Sequence, residues 1–246
     1  MKLFKLSLML LSSLAISSCT STKKVQEHLN YNKQSITYLM DSPPSIKNSG
    51  HRVSITSIKI DTSVRNEALA IKETGWIVPL LAVNVWESRK MCYLGASMFE
   101  NDWTTALQDN LLRESNRSGV FNIDSIASDY QLEFSIDKLE AKGPYYSQGF
   151  YVFLVAFYFY SFGDYAGPAE TELAISYVLK KNGKSVREKT FKFEKKTEQL
   201  KKGYKNKKEL IQGFATSMAE ATSNNFKNAM ASIVLDLNDY FEGEVN

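Results

Sequence analysis

The chain is poor in the residues from which most enzyme centres and metal sites are built. Of its 246 residues, two are histidine and two are cysteine. His28 and His51 both fall in or beside a polar stretch near the N-terminus. A histidine-based triad or metal cluster in the later part of the chain therefore has no histidine to draw on. There is no glycine-rich phosphate loop, no Gly-x-Ser-x-Gly elbow and no paired-cysteine metal motif. Charge is nearly balanced, with 30 Lys and Arg against 27 Asp and Glu, so nothing global points to nucleic acid. No apolar run reaches the roughly 20 residues of a bilayer-spanning helix. These absences lead us to expect no cofactor, no metal and no catalysis. What remains is the composition of a folded protein, 43% hydrophobic and 12% aromatic.

The N-terminus has a definite layout. Lys2 and Lys5 precede an apolar run from Leu6 to Ile16, followed by the small residues Ser17 and Ser18 and then Cys19. A basic end, a hydrophobic middle and a small-residue cleavage site make an export signal. Ile16-Ser17-Ser18-Cys19 resembles the lipobox of bacterial lipoproteins, in which the cysteine receives a diacylglycerol and becomes the new N-terminus. The resemblance implies that Cys19 is lipidated and anchors the chain to a membrane. The alternative is an ordinary signal peptide with a chance cysteine. Each acyl methylene buried contributes about 0.8 kcal/mol, so several chains hold where one does not. Removing Lys2 and Lys5 with the signal leaves 28 basic against 27 acidic residues, a mature charge of +1. With Cys19 lipidated, Cys92 has no disulfide partner within the chain, and its apolar flanks point to a buried, inert thiol.

Three regions follow: a signal peptide over 1–18, a lipidated N-terminus and flexible tether over 19–50, and one domain over 51–246. The tether is polar, with room for one short helical turn, and carries the breakers Ser42-Pro43-Pro44-Ser45 and Asn48-Ser49-Gly50. Within the domain, Val53, Ile55, Ile58 and Ile60 read as a strand, and Met91 to Phe99 as a short second one. Asn101 or Asp102 caps a helix with Trp103, Ala106, Leu107 and Leu111 on one face, which Gly119 stops. Residues 129–139 and 170–180 alternate as half-buried strands, the second running into the hairpin signal Asn182-Gly183. From Lys207 to about Phe241, Ile211, Phe214, Met218, Phe226, Met230, Ile233 and Leu237 trace a long amphipathic helix. The expected class is α+β, a largely antiparallel sheet with two main helices packed on one face.

Two strongly apolar segments stand apart, Trp76 to Trp86, interrupted by Pro79, and Phe150 to Phe162. Both read first as core strands buried on both faces. The alternative is a surface for a lipid or a partner protein, for which Trp76, Trp86, Phe150, Phe153, Phe157 and Phe159 are the candidates. The lysine-rich stretch from Lys195 to Lys208 reads as a solvated loop before the last helix. Glu170 and Glu172, two apart on a strand, share an outward face rather than forming a catalytic pair.

One further resemblance spans about residues 100–140. Trp103-x3-Leu107-x3-Leu111, then Ser118-Gly119-Val120-Phe121 and Asp129-Tyr130-Gln131-Leu132, resembles the auxiliary lipoproteins of ABC-type lipid-transport systems. Lipopolysaccharide-assembly lipoproteins share the general arrangement. The resemblance implies a non-enzymatic envelope protein that binds a transport or assembly protein, or a lipid, and supplies no catalytic residue. A surface or periplasmic enzyme using carboxylate or Ser/Tyr chemistry, and a structural lipoprotein without ligand, are the alternatives. Thr20 follows Cys19 where an aspartate would resemble the inner-membrane retention signal of enteric bacteria. The outer membrane is therefore the expected location, facing periplasm or surface.

Overall fold

One strand, β5 (Tyr130–Leu154), is 25 residues long and pairs with four others. The computed structural model describes residues 21–31, 33, 50–80, 83–124, 128–154, 157–201 and 204–245. The other strands are β1 (Arg52–Ile60), β2 (Leu69–Leu80), β3 (Val83–Tyr93), β4 (Asn122–Ile123), β6 (Phe157–Ala166), β7 (Glu170–Lys181) and β8 (Lys184–Lys196). The helices are α1 (Thr22–Leu29), α2 (Trp103–Ser118) and α3 (Lys207–Val245). The first half of β5 lies between β1, from Val53↔Tyr130 to Ile60↔Ile136, and β7, from Gln131↔Lys180 to Lys142↔Glu170. Its second half lies between β3, from Tyr93↔Lys142 to Val83↔Val152, and β6, from Tyr145↔Ala166 to Leu154↔Phe157. Outside these, β2 pairs β3, β8 pairs β7 and β4 pairs β1.

The sheet is mixed, which corrects the expected, largely antiparallel arrangement. β1 runs parallel to both β4 and β5. Parallel neighbours need a long crossover, and here the chain passes through the β2–β3 hairpin and α2 before returning. The apolar period of a strand reports which face is buried but not which way its neighbour runs, so this pairing left no mark in the sequence.

The core lies between the sheet and the helices. Leu132, Phe134 and Ile136 of β5 pair with Leu179, Tyr177 and Ile175 of β7, placing all six on one buried face. Across from them, α3 presents Ile211, Phe214, Met218, Phe226, Met230, Ile233, Leu237 and Phe241, all fully buried. The α2 indole of Trp103 stacks on Phe226 with the ring planes 12° apart. Local signals act where expected. The Asp102 carboxylate accepts the Thr105 N–H at 2.9 Å, and Gly119 ends α2 in the left-handed region at φ 67°. Asn182 and Gly183 both have positive φ, 51° and 76°, the type I′ geometry that matches strand twist.

α3 is also held by a polar clamp. Asp236, 4% exposed, accepts hydrogen bonds from Arg187 (2.7 Å) and Lys189 of β8 and from the Tyr177 hydroxyl of β7. Burial pushes the Asp236 carboxyl up, but these donors, Arg187 foremost, outweigh it and hold it well below the usual carboxylate range. Cys92 is fully buried, and burial pushes its thiol up to about 12, in keeping with an inert core residue.

Two further expectations differ from what is observed. The helical turn allowed for in the tether is a longer, docked helix: α1 is capped by Ser21, whose hydroxyl accepts the Lys24 N–H at 3.2 Å. Val25 and Leu29 of α1 are fully buried and belong to the same core as α3. The short strand expected over Met91 to Phe99 is instead the end of β3, followed by a 3-10 turn at Ala96–Met98.

Candidate functional site

Along β3 and β5 the buried face changes character with distance from the helices. Cys92 pairs with Gly143 in the apolar core, where a Cβ added at Gly143 would meet Phe214 at 2.9 Å. One step outward, Lys90 pairs with Tyr145 and Ser88 with Ser147, and all four side chains are buried. The Lys90 ammonium donates to the Ser88 hydroxyl at 2.9 Å and lies 5.8 Å from the centre of the Tyr145 ring. The Tyr145 hydroxyl donates to Asp164 on β6 at 3.0 Å, and Lys207 at the start of α3 reaches the same carboxylate at 3.4 Å. This polar layer ties β3, β5, β6 and α3 together at the limit of the helical cover. It went unread in the sequence because its members come from four separate elements.

Beyond it, β2, β3, β5 and β6 continue as a four-stranded sheet with apolar side chains in solvent. Every residue of β2 from Ile71 to Val78 is exposed. Trp76, Ile77 and Val78 are 46%, 45% and 41% exposed, and Phe150, Phe159 and Tyr160 are 42%, 59% and 58% exposed. Soluble monomers rarely leave a contiguous patch of this kind uncovered. The two apolar segments are thus hairpins, not the core strands expected of them. Hydrophobicity predicts their strand composition correctly, but nothing in it says that the helices cover only the face of Trp86, Ser88 and Lys90, leaving Trp76, Val78, Phe150 and Phe159 on the open face, or that the cover ends before Ile77 and Tyr160.

Of the six candidate aromatics, Trp76, Phe150 and Phe159 are brought together at this outer end of the sheet. Trp86 is not part of the surface. It is 4% exposed, and its ring occupies the space above Gly149, where an added Cβ would come within 2.5 Å of it. For Phe153 and Phe157 only the backbone is described, paired Phe153↔Tyr158 and Phe157↔Leu154. Cys19 lies outside the described residues. Ile77, Val78 and Tyr160 join the surface although the sequence did not single them out. The register divides the exposed residues between two faces. Trp76, Val78, Phe150 and Phe159 share one, and Ile77 and Tyr160 the other.

Two shallow depressions border this region. One, of about 460 Å³, is lined by Ser21 and Thr22 at the start of α1 together with Lys72, Trp76, Ile77 and Lys90. The other lies over Trp76, Val85, Gln148, Phe150 and Ser161. A third, at the middle of the sheet, is rimmed by Glu140, Lys142, Glu170, Glu172, Lys195 and Lys196. There the carboxylates meet lysines, Glu172 with Lys138 at 2.6 Å, Glu140 with Lys142 at 3.0 Å and Glu170 with Lys196 at 3.2 Å. Such pairs on a solvated face contribute little to stability.

Among the described residues no group of histidine, cysteine, aspartate and glutamate side chains could hold a metal, and no helix is long and apolar enough to cross a membrane. His51 packs its ring against Tyr130 and Phe241, at 5.3 Å and 4.9 Å.

No protein-family model matches the chain, and no curated protein matches it in sequence. Two solved structures are similar in outline. A Xanthomonas campestris protein of family DUF330 is 13% identical, covers 87% of this chain and 99% of its own, and gives a TM-score of 0.49. A candidate lipoprotein from Caulobacter crescentus CB15 is 14% identical, covers 55% of this chain and 82% of its own, and gives a TM-score of 0.32. At such identities no residue can be carried from either protein to this one.

Proposed function

We propose that this chain is a lipid-anchored envelope lipoprotein that works by binding rather than by catalysis. Its anchor is the lipid on Cys19, and its contact surface is the outer end of the sheet around Trp76, Phe150 and Phe159. The observation that carries the reading is the uncovered apolar cluster on a chain that also bears a lipobox. An isolated soluble domain gains nothing from keeping these side chains in water, whereas a membrane-tethered binding protein uses them. The partner belongs to envelope assembly or lipid transport and is a protein, a lipid or both. The residue after the lipidated cysteine, Thr20, favours the outer membrane.

Envelope fractionation with the native protein and a Cys19→Ser variant tests the anchor, and affinity recovery from detergent-solubilised envelopes tests the binding role. The native chain is expected in the outer-membrane fraction with bound lipid or a transport or assembly complex, and the variant in the soluble fraction. Recovery of neither lipid nor complex, with the native chain itself soluble, would contradict the proposal.

A further inference from the structure

We infer that the outer end of the sheet docks on the bilayer that holds the Cys19 lipid, with Trp76, Ile77, Val78, Phe150, Phe159 and Tyr160 seated at the depth of the headgroups. The inference deepens the reading above and rests on lipidation of Cys19.

Three observations carry it. The first is where the anchored end of the chain emerges. Ser21 and Thr22 line the same depression as Trp76 and Ile77, and α1 is fixed there by the burial of Val25 and Leu29. Cys19 is two residues before Ser21, so the chain can carry it no more than about 7 Å from that point. The lipid therefore enters the membrane beside the apolar hairpins, with no leash between them.

The second observation is that apolar side chains project from both faces of the sheet. Trp76, Ile77 and Val78 are consecutive and alternate sides, yet all three exceed 40% exposure. A protein partner laid on one face would leave the other wet, whereas a lipid surface surrounds both. The third is the kind of residue present. Tryptophan and tyrosine suit the membrane–water boundary, where one end of the ring is apolar and the other hydrated. Lys23 and Lys24 on the exposed side of α1, and Lys72 beside Trp76, lie where anionic headgroups would meet them.

The depth is limited by the backbone. In this part of the sheet β2 pairs only with β3 and β6 only with β5 among the described residues, so each carries an open edge. Unpaired edges are not tolerated in the hydrocarbon core. Seating of about 5–10 Å, as for an interfacial helix, satisfies both constraints. The β7–β8 turn at Asn182–Gly183 lies at the opposite end of β5, next to Gln131, and faces away from the membrane.

A polarity-sensitive fluorophore placed at Phe159→Cys, at Ile77→Cys and at Lys184→Cys tests this in the full, purified protein. Cys92 is buried and Cys19 would be acylated, so the new thiol is the reactive one. The protein is bound to vesicles of phosphatidylethanolamine and phosphatidylglycerol with or without a spin-labelled lipid. Positions 159 and 77 are expected to shift their emission to the blue and to be quenched by the spin label, and position 184 to do neither. Emission at 159 and 77 matching that at 184, on protein whose intact mass includes the acyl chains, overturns the inference and leaves the anchor reading standing. A dry environment at 159 in native envelopes but not in vesicles would overturn it in favour of a protein partner. Cross-linking between two copies through position 159 would overturn it in favour of self-association. A mass without acyl chains overturns the anchor reading, and this inference falls with it.

Discussion

Asp236 is the residue through which polar contacts tie α3 to the sheet. Its carboxylate is buried, with three donors from β7 and β8 converging on it. Removing it leaves Arg187 and Lys189 without their partner and the Tyr177 hydroxyl without an acceptor. Both cationic side chains are partly exposed, 38% and 45%, so water offsets some of the loss. Asp236→Ala is expected to lower stability by about 2–3 kcal/mol at pH 7, read from urea unfolding. A folded carboxyl held below its usual range stabilises the fold fully above the unfolded value of about 4 and loses that contribution as pH falls through the folded one. The difference between native protein and variant should therefore be largest near neutrality and should narrow below about pH 4. A difference independent of pH would contradict this account. Asp236 could not be found from the sequence. Its partners are 47 to 59 residues away, and a lone aspartate on a helix reads as solvent-facing. Cys92 was legible, because a cysteine between apolar neighbours on a strand has one ordinary fate.

Among the elements, α1 shows most clearly how packing overrides local composition. Six of its eight residues are not apolar, and two turns are too few for an isolated helix to persist. Its stability comes from Val25 and Leu29, spaced four apart and both inserted into the core against α3 and β2. Leu29→Ala is expected to cost about 2–4 kcal/mol, whereas Glu27→Ala on the exposed side should change stability by less than about 0.5 kcal/mol. Thermal or urea unfolding of the two variants checks this, and equal effects would mean that α1 is not docked. A stretch of polar residues with two apolar ones does not distinguish a helical turn in a tether from a docked helix, which is why the docking of this element was missed. The alternating first part of β5, β7, the capped α2 and the amphipathic α3 were legible because each carries its pattern over many residues. The extension of β5 beyond residue 139 was not, because Gly143, Pro144 and Gly149 interrupt its alternation.

At the scale of the molecule, the fold has a covered end and an uncovered one. Helices α2 and α3 bury one face of the sheet around β1, β5, β7 and β8, then stop at the polar layer of Ser88, Lys90, Tyr145 and Asp164. The four strands beyond carry apolar residues into solvent, and the start of α1, at Ser21 and Thr22, lies at the same place. Sequence reading singled out both apolar segments and a tetrapeptide that resembles a lipobox. It could not relate the apolar segments to Ser21 and Thr22, because that proximity is created by the docking of α1. The orientation argued for the molecule depends on one covalent event at Cys19. Intact-mass measurement of the protein purified from membranes tests it most directly. A chain that begins at residue 19 and carries the added mass of a diacylglyceryl group is the result this account predicts. A chain that begins elsewhere, or that begins at Cys19 with a free thiol, would contradict it.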